Sequence, residues 1–286
     1  MENKHIGWIR VLLLIIPYFF IVGGFQLIGA WVAGIQIDPP NVVKSSGQQL
    51  ITSSFNLLGN FLLLWIFMRF VDKEKFVSLG FHIKNRGKEI VGGIVLGAFI
   101  MGFAYVTLLL LSEIEFVKLT FSIRELFISI LIFLIVAIVE EVLLRGYVLR
   151  NFMISFNKYI ALILSSAIFA LLHGFNPNIS WFSMVVLFLA GLLLGISYVY
   201  TKNLWFPIAL HFSWNFFQTH FGFNVSGLDM YSIIETQIVE NNLLNGGAFG
   251  FEGSIFSVIA EIGGIIAIGY YFAKKVSVIP TPDTNA

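Results

Sequence analysis

Eight times along this chain the sequence stays apolar for long enough to cross about 30 Å of hydrocarbon at 1.5 Å per residue. Nothing else in the sequence narrows the fold so far. Hydrocarbon offers no water to backbone N–H and C=O groups, so a spanning segment must be a helix or a strand of a closed barrel. Runs such as "LFISILIFLIVAI" (126–138) are continuously apolar and show no strand-like alternation, which selects helices. The spans read as 11–35, 50–70, 90–112, 122–147, 158–173, 181–200, 204–220 and 254–273. Composition agrees: 58% of residues are hydrophobic and 12% charged, with a mean hydropathy of +0.89. The expectation is an all-α polytopic membrane protein, a single membrane domain over 1–286 with a buried intramembrane site.

The N-terminal stretch resembles a signal peptide for its first few residues. Its apolar run then passes 20 residues without a small-residue cleavage site, which reads as a retained first helix. An even number of spans puts both termini on one side. By this reading the terminus side holds 14 of the 17 Lys and Arg residues, and the other side only Lys44, Lys118 and Arg124. The positive-inside rule makes the basic side cytoplasmic. The loop 221–253 has no Lys or Arg and carries Asp229, Glu235, Glu240 and Glu252, which assigns it outside. The chain is therefore expected in the cell membrane, multi-pass, with cytoplasmic N- and C-termini and the lipid bilayer as partner. Cysteine is absent, which excludes disulfides and thiolate chemistry. A net charge of +1 gives no reason to expect a nucleic-acid partner.

Three polar clusters interrupt the apolar helices. Glu140, Glu141 and Arg145 lie in "VEEVLLR", His173 closes "FALLH", and His211 and Asn215 lie in "HFSWN". Charges inside a membrane segment are costly and call for a partner or a task. Glu141 and Arg145 are i,i+4 and share a face, so they can pair. Glu140 points about 100° away and has no local cation. The break between the fourth and fifth spans is "SFNK", centred near residue 156. Glu140 lies 16 residues before it and His173 lies 17 after. In an antiparallel hairpin both stand about 25 Å above the turn and face one another. His211 and Asn215, about 12–18 Å above the "TKN" turn, suit the same layer. Singly, each cluster can be structural: a Glu–Arg clip, or a histidine hydrogen-bonded across helices. Convergence of all three at one depth favours a site.

Two mechanisms use these residue types. In the first, Glu140 is a general base that takes a proton from water, aided by His173, while His211 and Asn215 donate hydrogen bonds to an oxyanion. In the second, Glu140, His173 and His211 bind Zn²⁺, with Asn215 beside them, and the metal activates the water. Both describe hydrolysis of an acyl bond, most naturally a peptide. The sequence has no Gly-rich phosphate loop, GxSxG elbow or HExxH helix.

The motifs "EEVLLR" (140–145), "FALLH" (169–173) and "HFSWN" (211–215), in that order, resemble the set of the CAAX prenyl-protease and bacteriocin-processing family of intramembrane endopeptidases. The resemblance covers roughly 120–220, with weaker similarity at "SLGF" (78–81) and "GGAFGFEGS" (246–254). It implies Glu140 and His173 as the catalytic pair, His211 and Asn215 as the other site residues, and Glu141 and Arg145 as support. It also implies a peptide or membrane-protein substrate. It leaves open a metalloprotease and a glutamate-activated water. The competing classes are a non-catalytic immunity or partner-binding protein on the same scaffold, and a small proton-linked transporter. Paired repeats and broken helices, which a transporter more often carries, are not evident. Glu261, isolated in the last span, reads as a group supporting the site or as a helix-pairing hydrogen bond. His220, His82 and His5 read as structural or solvated, and Trp8, Trp31, Trp181 and Trp205 as an aromatic belt.

Overall fold

A computed structural model describes residues 5–35 and 44–277; Lys4 and 278–286, which enter the expectation for the termini, lie outside the described residues. The helices are α1 (Ile6–Val32), α2 (Ser46–Ile66), α3 (Gly87–Leu110), α4 (Ile123–Glu141), α5 (Arg150–Ser155), α6 (Lys158–Leu172), α7 (Trp181–Thr201), α8 (Trp205–His220) and α9 (Ile255–Ser277). A π-helical segment, Val142–Leu149, joins α4 to α5, so the two form one rod from 123 to 155. A second π segment, Phe67–Asp72, extends α2. Among the described residues there are thus eight helical rods, and the all-α polytopic architecture holds.

Six rods are long and apolar enough to cross a membrane: Ile6–Val32, Ser46–Asp72, Gly87–Leu110, Ile123–Ser155, Trp181–Thr201 and Ile255–Lys275. The expected spans 158–173 and 204–220 are corrected to shorter helices, α6 with 15 residues and α8 with 16. At 1.5 Å per residue these reach only about 22–24 Å. For α8 the reason is its position. Twelve of the sixteen α8 residues are buried, and a helix enclosed by its neighbours need not match the bilayer. Enclosure also permits polar side chains on α8 that lipid would reject. The first rod starts earlier than expected, because Arg10 is held inside it by Asp72 at 3.1 Å.

Local chemistry sets the turns around the site. Asn157 caps α6, its Oδ1 accepting from the N–H groups of Tyr159 and Ile160. The break between α7 and α8 is short because Lys202 takes a left-handed conformation (φ 50°). Asn203 then accepts from the Trp205 N–H at 3.1 Å and donates to the His82 carbonyl at 2.7 Å. Close approach fixes α8 against α3: a Cβ on Gly97 would lie 2.7 Å from Ser213 Oγ, and that hydroxyl donates to the Ile94 carbonyl at 2.6 Å.

The contacts gather two unlike ends. At one end Trp8 N–H donates to Ser155 Oγ, Arg10 and Arg150 both approach Asp72, and Lys275 meets Glu89. At the other, two strands pair antiparallel: β1 (Ile114–Leu119) and β2 (Ile234–Ile238), with Ile114 opposite Ile238 and Leu119 opposite Ile234. Lys118 meets Glu235 at 3.4 Å, and the Thr120 hydroxyl at 2.7 Å helps hold the Glu235 carboxyl below the usual carboxylate range. The sequence reading places no strand here. The pairing partners are 115–124 residues apart and neither segment is long enough to announce itself alone.

Candidate active site

The first cluster sits where α4 passes into its π segment. Arg145 is 1% exposed. Its Nη1 lies 2.9 Å from Glu141 Oε1, its Nη2 donates to the Gly191 carbonyl at 3.1 Å, and its guanidinium lies 4.7 Å from the centre of the Phe169 ring. The membrane cation is therefore fully occupied. Glu141 Oε1 has a second partner that i,i+4 spacing does not reveal: His211 Nδ1, at 2.8 Å.

His173 is the residue at which α6 ends. Its Nδ1 lies 2.8 Å from the Phe169 carbonyl. A carbonyl oxygen only accepts, so the hydrogen-bond network places the proton on Nδ1 and directs Nε2 outward. The same logic applies to His211, whose Nδ1 faces the Glu141 carboxylate. Both outward Nε2 atoms converge on one oxygen: His173 Nε2 and His211 Nε2 each lie 3.9 Å from Glu140 Oε2. That oxygen is buried and has no hydrogen-bond partner among the described residues. Phe169 packs between the two imidazoles, with ring centres 4.6 Å from His173 and 6.3 Å from His211. The aromatic of the FxxxH pattern thus spaces the histidines and covers Arg145, a role the sequence reading does not assign.

Glu140, His173, His211 and Asn215 line one cavity of about 340 Å³. The Asn215 carboxamide makes no hydrogen bond to the described residues and faces this space. The cavity walls come from α1 and α2 (Tyr18, Gln49, Asn56), from α4, α6, α7 and α8, and from the connection 225–230. They also include two carboxyls outside the three motifs, Glu252 and Glu261. Glu261, left above between two readings, is a wall residue. Sequence reasoning counts Glu252 only as a loop charge and as part of "GGAFGFEGS", and misses its place in the cavity. His220 is elsewhere: its Nε2 lies 2.9 Å from Ser129 Oγ in a buried contact between α8 and α4. His82 lies on the connector before α3.

The zinc alternative can be tested on these distances. Zn–N and Zn–O bonds near 2.0–2.2 Å put tetrahedral ligand atoms about 3.4 Å apart. The observed 3.9 Å separations are wider. No group of three His, Asp or Glu side chains among the described residues is arranged to hold a metal. The expected ligand set Glu140, His173 and His211 therefore does not fit zinc as it stands. A water hydrogen-bonded at about 2.8 Å to Glu140 Oε2 and to either imidazole spans the same gaps.

Residues 122–217 match the family model described as Rce1-like, type II CAAX prenyl endopeptidase Rce1-like. This segment is Rce1-like. It begins at the cap of α4 and ends on α8, just past Asn215, so it contains all three motifs and both imidazoles. The family resemblance read from the motifs is thereby shown over that third of the chain, and the family is one of membrane proteases. No curated protein and no solved structure matches the chain. The Rce1-like segment does not contain Glu252, Glu261 or the α1 and α2 residues that complete the cavity.

Proposed function

We propose that this protein is an intramembrane endopeptidase that hydrolyses a peptide bond with a water activated by Glu140. One observation carries the reading: Glu140 Oε2 is buried, accepts no hydrogen bond from the described residues, and faces the Nε2 atoms of two oriented histidines at 3.9 Å each. A water in that gap is held by Glu140 and by the Nε2 lone pair of His173. Glu140 takes its proton as the water oxygen attacks the scissile carbonyl. The developing oxyanion is met by the free amide of Asn215 and by Nε2–H of His211, whose second proton on Nδ1 is matched by Glu141. Glu140 then returns the proton to the leaving nitrogen as the C–N bond breaks. The substrate is a peptide or a membrane-protein segment, as the membrane-protease family description suggests. The family description supports a CAAX-type protease. We further place both termini in the cytoplasm, because Arg10, Lys75, Lys84, Arg86, Arg150, Lys158, Lys202 and Lys275 fall at the terminus end of the rods.

The test is turnover of a cleavable peptide by purified protein in liposomes, normalised to folded protein. Glu140→Ala and His173→Ala should each abolish turnover while the protein still accumulates in the membrane. Wild-type turnover should be insensitive to chelators. Full activity of Glu140→Ala defeats the mechanism, and a chelator-sensitive rate replaces the water with a metal.

A further inference from the structure

The cavity carries more carboxyl groups than its chemistry uses. Its lining includes Glu140, Glu252 and Glu261, two histidines, and no Lys or Arg. Arg145 cannot compensate, because it is turned to Glu141 and Gly191. Glu252 lies on the turn Phe251–Gly253 that leads into α9. It is 7% exposed, and one oxygen accepts from both the N–H and the hydroxyl of Ser226, at 2.7 Å each. Glu261 is wholly buried on α9. Its Oε1 accepts from Ser257 Oγ at 3.2 Å, while Oε2 has no partner among the described residues. Ser257 is one turn away on the same helix, so this hydrogen bond does not pair helices. The helix-pairing reading of Glu261 thus has no observation behind it. A buried carboxyl with a bare oxygen is costly in a membrane protein and persists where something uses it.

We propose that Glu252 and Glu261 form a cation subsite that receives the basic side chain of a Lys or Arg residue in the peptide being cleaved. The inference rests on the peptidase reading and names a substrate feature within it. A Lys or Arg side chain has an apolar stem and a charged head. The cavity offers the matching gradient: Leu187, Leu193, Leu194 and Trp214 along the wall, and the two carboxyls among them. Its volume of about 340 Å³ accommodates one such side chain beside the backbone at Glu140. Both carboxyls lie outside the Rce1-like segment, so the preference belongs to this chain's own C-terminal third.

Binding separates this inference from the peptidase reading, because it needs no cleavage. The full chain carrying Glu140→Gln is purified in detergent and titrated with capped apolar peptides, identical except for Lys, Arg, norleucine or Glu at the centre. The Lys and Arg peptides should bind about tenfold or more tightly than norleucine, and Glu weakest. Adding Glu261→Gln or Glu252→Gln should shrink that preference to about threefold or less. Thermal midpoints should be unchanged or raised by Glu261→Gln, whereas a structural carboxyl would lower them. Equal binding of Lys and norleucine peptides overturns the subsite, as does absence of binding by all four. Survival of the preference in the Glu252→Gln, Glu261→Gln double variant also overturns it. An uncapped norleucine peptide that binds like the Lys peptide would assign the subsite to a terminal ammonium and refute the side-chain version. None of these outcomes bears on whether Glu140 activates water.

Discussion

Replacing Glu141 by alanine should damage stability and catalysis through two different partners of one oxygen. The stability effect follows from Arg145, which is 1% exposed and loses its only carboxylate, 2.9 Å away. What remains is the Gly191 carbonyl and the face of Phe169, neither of which neutralises charge. Leaving a buried ion unpaired costs about 3–5 kcal/mol, against a total stability of about 5–15 kcal/mol. For a chain of this size that lowers the melting temperature by about 10 °C. The readout is thermal and denaturant unfolding in detergent. Glu141→Ala/Arg145→Met removes both charges and should recover most of the loss, giving a coupling energy of at least about 2 kcal/mol. Its turnover should stay at least about tenfold low, because His211 Nδ1 has still lost the acceptor that holds its proton and fixes its orientation. A Glu141→Ala protein that melts within about 2 °C of wild type would show that the pair contributes no more than a surface ion pair. Full activity in the double variant would refute the role assigned to the Glu141–His211 contact.

Asn215→Ala should reduce turnover about 100- to 1,000-fold with little change in melting temperature, since its amide is committed to no described partner and an oxyanion donor acts mainly in the transition state; the check is steady-state kinetics on folded protein. Reporter fusions after Lys275 should be active only as cytoplasmic reporters, and fusions within 225–245 only as external ones; the reverse pattern means the rods are inverted.

Where the sequence was legible, a local rule or a simple count sufficed. The i,i+4 spacing of Glu141 and Arg145 predicts their contact. Counting residues from "SFNK" predicts that Glu140 and His173 meet across a hairpin, and their atoms stand 3.9 Å apart. The family motifs pointed to the segment that the comparison matched. What stayed hidden depends on tertiary geometry. The Glu141–His211 contact joins residues 70 positions apart, so Glu141 looked like a partner for Arg145 alone. Glu252 reaches the cavity from the short turn Phe251–Gly253 just before α9, and no periodicity marks it. The reduced length of α8 was masked by its apolar composition, which is the same for a helix packed among helices as for one facing lipid.

The rod 123–155 has an offset built into it. Its first part, α4, packs on α2 and α8, while its last part, α5, packs on α1 and α6. Between them the chain coils with i→i+5 hydrogen bonds over Val142–Leu149, beginning one residue after Glu141. An uninterrupted α-helix would turn one of these two parts out of phase with its neighbours, at about 100° per residue. The wider coil absorbs the phase difference, so one rod meets two groups of helices that share no common register. Deleting any single residue from 142–149 would let the rod relax to a plain α-helix. It would also force a choice: either Gly7 and Trp8 lose the surface of α5, or Glu140 swings away from the two imidazoles.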